Sequence, residues 1–244
     1  MKKVVDSSII SDQLPLPIYQ YPMTFDNYYL HQGNREAVTA LRNTLSPEAD
    51  SFIYLWGVSG SGISHLLQSF QRELAQSGQI SSCYLSLHTV IEYDPQSVFE
   101  PLAPLDIVCI DDLHLIEGRP DWQLALFHAF NRCYDQCKKM IFGANTAPRQ
   151  LTISLADLQS RLCSATIFQL HPMEDKHKAI ALQLQASSCG LVLTDQVAGY
   201  ILRHSARDTR NLFHLLQQLN RESLAKQRKL TIPFVKNILE NADR

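Results

Sequence analysis

The segment WGVSGSGISHL, residues 56–66, sets Gly57, Gly62 and Ser64 at the spacing Gly-x4-Gly-x-Ser, between an apolar run SFIYLW and a helical pattern. In that context backbone N–H groups and a helix N-terminus converge on one anion, so the stretch has the form of a phosphate-cradling loop. Gly57, Gly60 and Gly62 permit close approach of backbone to phosphate, Ser64 offers a hydroxyl to Mg²⁺, and Ser61, Ile63 and His65 complete the candidate lining. The position before Ser64, where such a loop carries lysine, holds Ile63. A charge-assisted hydrogen bond to phosphate contributes about 1.5–3 kcal/mol, or about ten- to hundredfold in affinity. Backbone amides can still hold a diphosphate, whereas a γ-phosphate loses its main charged partner. Nucleotide binding is therefore expected more than hydrolysis, and a plain strand-to-helix turn is the alternative.

Four further features follow in order. DIVCIDDLH is an apolar strand ending in Asp111-Asp112: Asp111 would support Mg²⁺, and Asp112 stands where an ATPase polarises its attacking water. Paired acids after a strand also occur as helix caps. In MIFGANTAPRQL, Asn145 ends the next strand and could bridge that acid and a γ-phosphate, or could equally make an ordinary turn. LADLQSRLC puts Arg161 on a short helix that need not face its own nucleotide; an arginine supplied across an interface contributes roughly 10³–10⁵ in rate. SARDTRNLF places Arg210, with Arg207 nearby, at the start of a late helix from which it could reach back to a phosphate. In this order the five features spell an AAA+ module.

The elements that must position them alternate. Strands are expected at 51–56, 82–87, 105–111, 139–145 and 166–170, with helices near 35–45, from about Ser64, and over 121–137. Leu66, Leu67, Phe70 and Leu74 supply one helical face, and Trp122, Leu126, Phe127, Phe130 and Tyr134 another. Such alternation implies an α/β fold with a mainly parallel five-stranded sheet, and runs such as IVCI suit strands covered on both faces. After His171-Pro172 four helices are expected, at 174–188, 195–205, 208–227 and 232–241, forming a small helical lid. Thr194 is a cap candidate, and Leu212, Leu215, Leu216 and Leu219 form a stripe. The domains are thus a flexible tail at 1–22, an α/β base at 23–171 and a lid at 172–244.

The 244 residues, 45% of them hydrophobic, can fill a sizeable core. A net charge of −2 lacks the basic excess of an autonomous DNA-binding domain. Six cysteines without CxxC or zinc spacing read as buried free thiols; Cys133 and Cys137, one turn apart, would need outside ligands to hold a metal. No signal peptide or membrane-length apolar run is visible, so a cytoplasmic location is expected.

GVSGSGISHLL, IVCIDDLHLI, LFHAFN and RQLTISLADLQSRL resemble the AAA+ domain of the DnaA family, while the tail QLPLPI and the ending QRKLTIPFVKNIL resemble its small Hda subfamily. The likeness runs from Gln13 to Leu239. It implies a P-loop NTPase fold and a protein that acts on another ATPase. With a DNA-loaded polymerase sliding clamp, such a protein stimulates hydrolysis of DnaA-bound ATP to leave inactive ADP-DnaA. It further implies clamp docking by Gln13, Leu14, Leu16 and Ile18, bound ADP, homodimers, Arg161 as the trans-acting arginine, and Asn145 and Arg210 as first and second sensors. An extended segment laying apolar anchors into a groove agrees physically with the docking role. The chain departs from the family at Ile63, where a basic residue is common, and at Pro15, which replaces the usual serine. Two other functions remain open: an autonomous AAA+ ATPase or loader of the DnaA/DnaC type, favoured by Asp111-Asp112 and opposed by Ile63, and a DNA-binding initiator. The latter is disfavoured because the chain ends where DnaA continues into a helix-turn-helix domain.

Overall fold

The computed structural model describes residues 23–46, 48–205 and 209–242. Gln13, Leu14, Leu16 and Ile18 lie outside them, as does the side chain of Arg210. Five strands, β1 (Phe52–Trp56), β2 (Ser82–Ser86), β3 (Ile107–Asp111), β4 (Lys139–Ala144) and β5 (Thr166–Gln169), form one sheet in the order β2-β3-β4-β1-β5. All four pairings are parallel.

The inner strands β1, β3 and β4 are almost wholly apolar because each feeds two cores, whereas the edge strands β2 and β5 carry Ser, Thr and Gln. Ile53, Leu55 and Ile141 face helices α1 (Arg35–Arg42) and α2 (Ile63–Ser77), with Val38, Leu41, Leu66, Leu67 and Phe70. Tyr54, Ile110 and Phe142 face the other way, onto Trp122, Leu126 and Phe130 of α3 (Pro120–Asp135) and Leu158 of α4 (Ala156–Cys163). Period-two alternation splits each strand between these layers.

Two expectations change. Tyr134, expected on the buried stripe of α3, is 57% exposed, because the last turn of that helix overhangs the start of β1, where Tyr134 stacks at 6.2 Å on Phe52. Of the thiols expected to be buried, only Cys109 and Cys133 lie in the core; Cys83, Cys163 and Cys189 are half-buried, and Cys137 is exposed, past the helix end at φ 54° in a turn. All six thiols are free.

The lid comprises α5 (Asp175–Ser188), α6 (Asp195–His204), α7 (Thr209–Lys226) and α8 (Ile232–Ala242). Thr194 caps α6 through the N–H of Val197, and the stripe Leu212, Leu215, Leu216 and Leu219 is buried in the lid's own core.

A segment with no expected role joins base to lid. Residues 24–34 form two short 3₁₀ turns, Phe25–Asn27 and Gln32–Asn34. Asn27 Nδ2 donates to Ser188 Oγ at 3.2 Å, Tyr29 stacks on His177 at 5.1 Å, and His65 of α2 meets the Thr24 carbonyl and Asn27 Oδ1 at 3.0 and 2.9 Å. Asn34, 1% exposed, accepts from the His171 N–H at 2.9 Å and donates to the His171 carbonyl at 3.3 Å and to Tyr28 Oη at 3.0 Å. One side chain thereby ties the strap to the base–lid hinge. Asn34→Ala strands these groups, and should lower stability in a urea titration by about 1–3 kcal/mol; an unchanged midpoint would contradict this role.

Candidate nucleotide site

A cleft of about 470 Å³ opens between base and lid at the C-terminal end of β1. That volume lies in the range of small-molecule sites. The loop from Gly57 to Gly62 forms its floor, Asp111, Asp112 and Asn145 one wall, and the strap and α7 the others. Gly62 adopts φ +93°, a left-handed conformation, and a Cβ there would meet the Tyr28 ring at 2.9 Å; the loop therefore needs glycine at its last position. No side chain caps α2, which leaves its first N–H groups turned to the cleft.

Asp111 anchors the acidic wall. It is 3% exposed and accepts hydrogen bonds from Tyr84 Oη at 2.7 Å and the Asp112 N–H at 2.9 Å, with the Ser64 hydroxyl as a further partner. Burial pushes its pKa above the ordinary value, a rise that the Ser64 and Tyr84 hydrogen bonds partly offset. Tyr84 is itself pushed far up, by burial and then by the Asp111 charge. Asp112 sits in a left-handed conformation at φ 59° and accepts from Ser86 Oγ at 2.8 Å. Asn145 is exposed just past β4.

Ile63 does not stand in for a lysine. Its side chain is 9% exposed and packs onto Gly143 of β4, where an added Cβ would lie 2.6 Å from Ile63 Cγ2, 2.7 Å from Asp111 Oδ1 and 2.8 Å from Leu67 Cδ1. Gly143 is thus the hollow into which the isoleucine, the leucine and the carboxylate all crowd. Gly57 and Gly60 lie in the loop as expected, whereas Ser61 and His65 are mostly buried. His65 binds the strap, and burial lowers its pKa, so it is a neutral bridge between α2 and the strap.

Arg161 lies elsewhere. Its guanidinium carbon sits over the rings of Tyr134 and Phe130, at 5.2 and 5.9 Å from their centroids. These rings stack on Phe52, the first residue of β1, whereas the phosphate loop leaves the last residue. Five strand residues at about 3.3 Å per step put roughly 13 Å of sheet between the two ends. Arg161 faces away from its own chain's cleft.

The cleft is also lined by the strap residues Met23, Tyr28 and Tyr29 and by the lid residues Thr209, Phe213 and Gln217, none of which belongs to a nucleotide-site motif in the sequence. The last three recur every four residues on the face of α7 beside its leucine stripe, a signal that was present. Burial pushes the Tyr28 hydroxyl up to about 12, offset in part by Asn34. A larger hollow of about 600 Å³, lined by Lys226, Arg228 and Lys229, lies on the lid but has neither glycine loop nor acid.

The residues fit a magnesium–nucleotide pair in part. Mg²⁺ takes one or two carboxylates with phosphate oxygens, and the hydrogen-bonded Ser64–Asp111 pair is where a cation beside a phosphate would be held. Among the described residues, no cluster of three or more His, Cys, Asp or Glu could hold a metal alone.

A glycine loop between β1 and a helix, acids at the end of β3 on the far side of the intervening β4, and a helical lid over the cleft define an AAA+ P-loop protein. The family of the bacterial DnaA ATPase domain matches residues 19–169, and that of the Hda lid domain matches residues 175–239. The chain belongs to the bacterial DnaA ATPase family and is an Hda-like, DnaA-homologous AAA+ protein. It is 38% identical over 232 residues to a Haemophilus influenzae protein described as uncharacterised, covering 94% of this chain and 99% of that one. Domain III of Thermotoga maritima DnaA superposes with a TM-score of 0.76 at 20% identity, covering 91% and 98%. AMPPCP-bound DnaA of Aquifex aeolicus gives 0.65 at 20% identity, covering 83% and 66%. No helix among the described residues is long and apolar enough to cross a membrane.

Because burial raises the Asp111 pKa, the folded chain keeps a proton there at pH values where the unfolded chain has lost it. The associated stability is full below 3.8 and is lost as pH rises through the raised value. Asp111→Asn, which removes the charge, should raise the melting temperature of the ligand-free protein near neutral pH. The gain should shrink as pH falls toward 3.8. A lower melting temperature at pH 7 would contradict the cost assigned to this buried carboxylate.

Proposed function

We propose that this chain regulates the initiation of chromosomal replication by acting on DnaA. Together with a DNA-loaded sliding clamp, it stimulates hydrolysis of DnaA-bound ATP and leaves inactive ADP-DnaA. Its own cleft holds ADP, with Mg²⁺ beside Ser64 and Asp111, as a structural ligand. Gln13, Leu14, Leu16 and Ile18 dock on the clamp, the chain acts as a homodimer, and contact with DNA is indirect, through the clamp.

The observation that carries this function is the separation of Ile63 from Arg161. The chain's own phosphate loop has an isoleucine packed onto Gly143 where a cation would meet the γ-phosphate, and its candidate arginine lies at the other end of β1. A molecule so built lacks part of the equipment for its own ATP and has a spare part for another's. The Hda-type lid and the DnaA-type base agree with a DnaA-directed role. An autonomous ATPase is the second possibility, favoured by Asp112 and Asn145 on the cleft wall.

Reconstituted DnaA–ATP hydrolysis with DNA-loaded clamp separates the two. Arg161→Ala should abolish stimulation, a loss of at least about 10³-fold in the stimulated rate if the arginine acts as known fingers do, while clamp affinity in a surface titration stays unchanged. Normal stimulation by the variant would overturn the assignment. Robust ATP turnover by the purified chain alone would favour the second possibility.

A further inference from the structure

The setting of Arg161 has a feature that its assigned role does not require. Among the described residues, the ion pairs engage other side chains, such as Arg119 with Glu92, and Arg161 has no carboxylate partner. Its guanidinium lies instead over two aromatic rings, Tyr134 at 5.2 Å and Phe130 at 5.9 Å. Phe130 stacks on Phe52 at 4.0 Å with 16° between planes, and Phe52 stacks on Tyr134 at 6.2 Å and 21°. The three rings make a shallow wall whose inner members belong to the core, since Phe130 is 1% exposed. Tyr134 is the outer member at 57% exposed, and packing of the core does not account for an aromatic side chain at that place.

We propose that Tyr134, backed by Phe52 and Phe130, is a positioning residue for Arg161, holding the guanidinium at the surface with its N–H groups free for a phosphate on a partner molecule. This rests on the assignment of Arg161 as the arginine that acts in trans. A carboxylate partner would also hold the side chain, but it would consume the donors that a phosphate needs and would have to be displaced. A ring attracts the cation through its π face and takes none of the five N–H donors. The long side chain is ordered in advance, so less freedom is lost when it meets the developing charge of a transition state. The anchor beneath is firm: Leu158 and Leu162 of α4 flank Arg161 in sequence and are both fully buried.

The test is the rate of phosphate release from ATP-loaded DnaA with DNA-loaded clamp, measured against the concentration of this chain for wild type, Tyr134→Ala, Tyr134→Phe, Arg161→Ala and the double variant with both alanines. Tyr134→Ala should lower the maximal stimulated rate about two- to fivefold, the order expected for an exposed cation–π contact, with the half-maximal concentration unchanged. Tyr134→Phe, which keeps the ring and loses only an exposed hydroxyl, should restore the wild-type rate. Tyr134→Ala should add nothing to Arg161→Ala. The positioning role is overturned, with the trans-arginine assignment intact, if Arg161→Ala is inactive and Tyr134→Ala is normal, if phenylalanine is as impaired as alanine, or if only the half-maximal concentration moves, which would make Tyr134 a docking contact. Full stimulation by Arg161→Ala would overturn the trans-arginine assignment itself, and the positioning role with it.

Discussion

The buried carboxylate of Asp111 is the fixed point on which the site depends. A charge kept nearly dry is stable only if its lone pairs are satisfied, and here three donors converge on it: Tyr84 from β2, the Asp112 backbone and Ser64 from the phosphate loop. These contacts tie the loop to the acidic strand before any ligand enters. Ile63 closes the corner from the other side, in the hollow left by Gly143. The residue that is missing as a charge is therefore present as packing. The loop keeps its shape through the same substitution that weakens its grip on a third phosphate.

The second constraint is the strap. Asn27, Tyr29 and Asn34 reach from one short segment to lid helix and hinge, while His65 brings α2 to the strap. The cleft walls are thus joined by hydrogen bonds that run outside the sheet, and lid and base are held around the cleft without a phosphate-bridging lysine. In the proposed arrangement this suits a protein that presents Arg161 to a partner. Its own nucleotide then has to order the molecule and need not be consumed.

Much of this was legible in the sequence because it depends on local pattern. The doubly apolar strands, the leucine stripes of α2 and α7 and the glycine loop all obey period two or 3.6, and the structure places them within one or two residues of expectation. The acids and Asn145 could be placed because each follows the end of an apolar strand, β3 and β4, at the same edge of the sheet as the loop. What escaped was set by side-chain pairing over long separations. Asn34 acts through His171, 137 residues away, and nothing near Asn34 announces it. The role of Ile63 was visible only as an absence, since its fit depends on Gly143 in a strand far along the chain. Tyr134 was misplaced because helical periodicity continues after the surface that the helix covers has ended.

The central claim is that the ATP hydrolysed belongs to DnaA. It is tested most directly by tracing label from one site at a time. DnaA preloaded with γ-labelled ATP, and in parallel this chain preloaded with the same label, would each be mixed with the unlabelled partner and DNA-loaded clamp, and labelled phosphate followed. The account predicts rapid release from DnaA and none above background from this chain; release chiefly from this chain would contradict it.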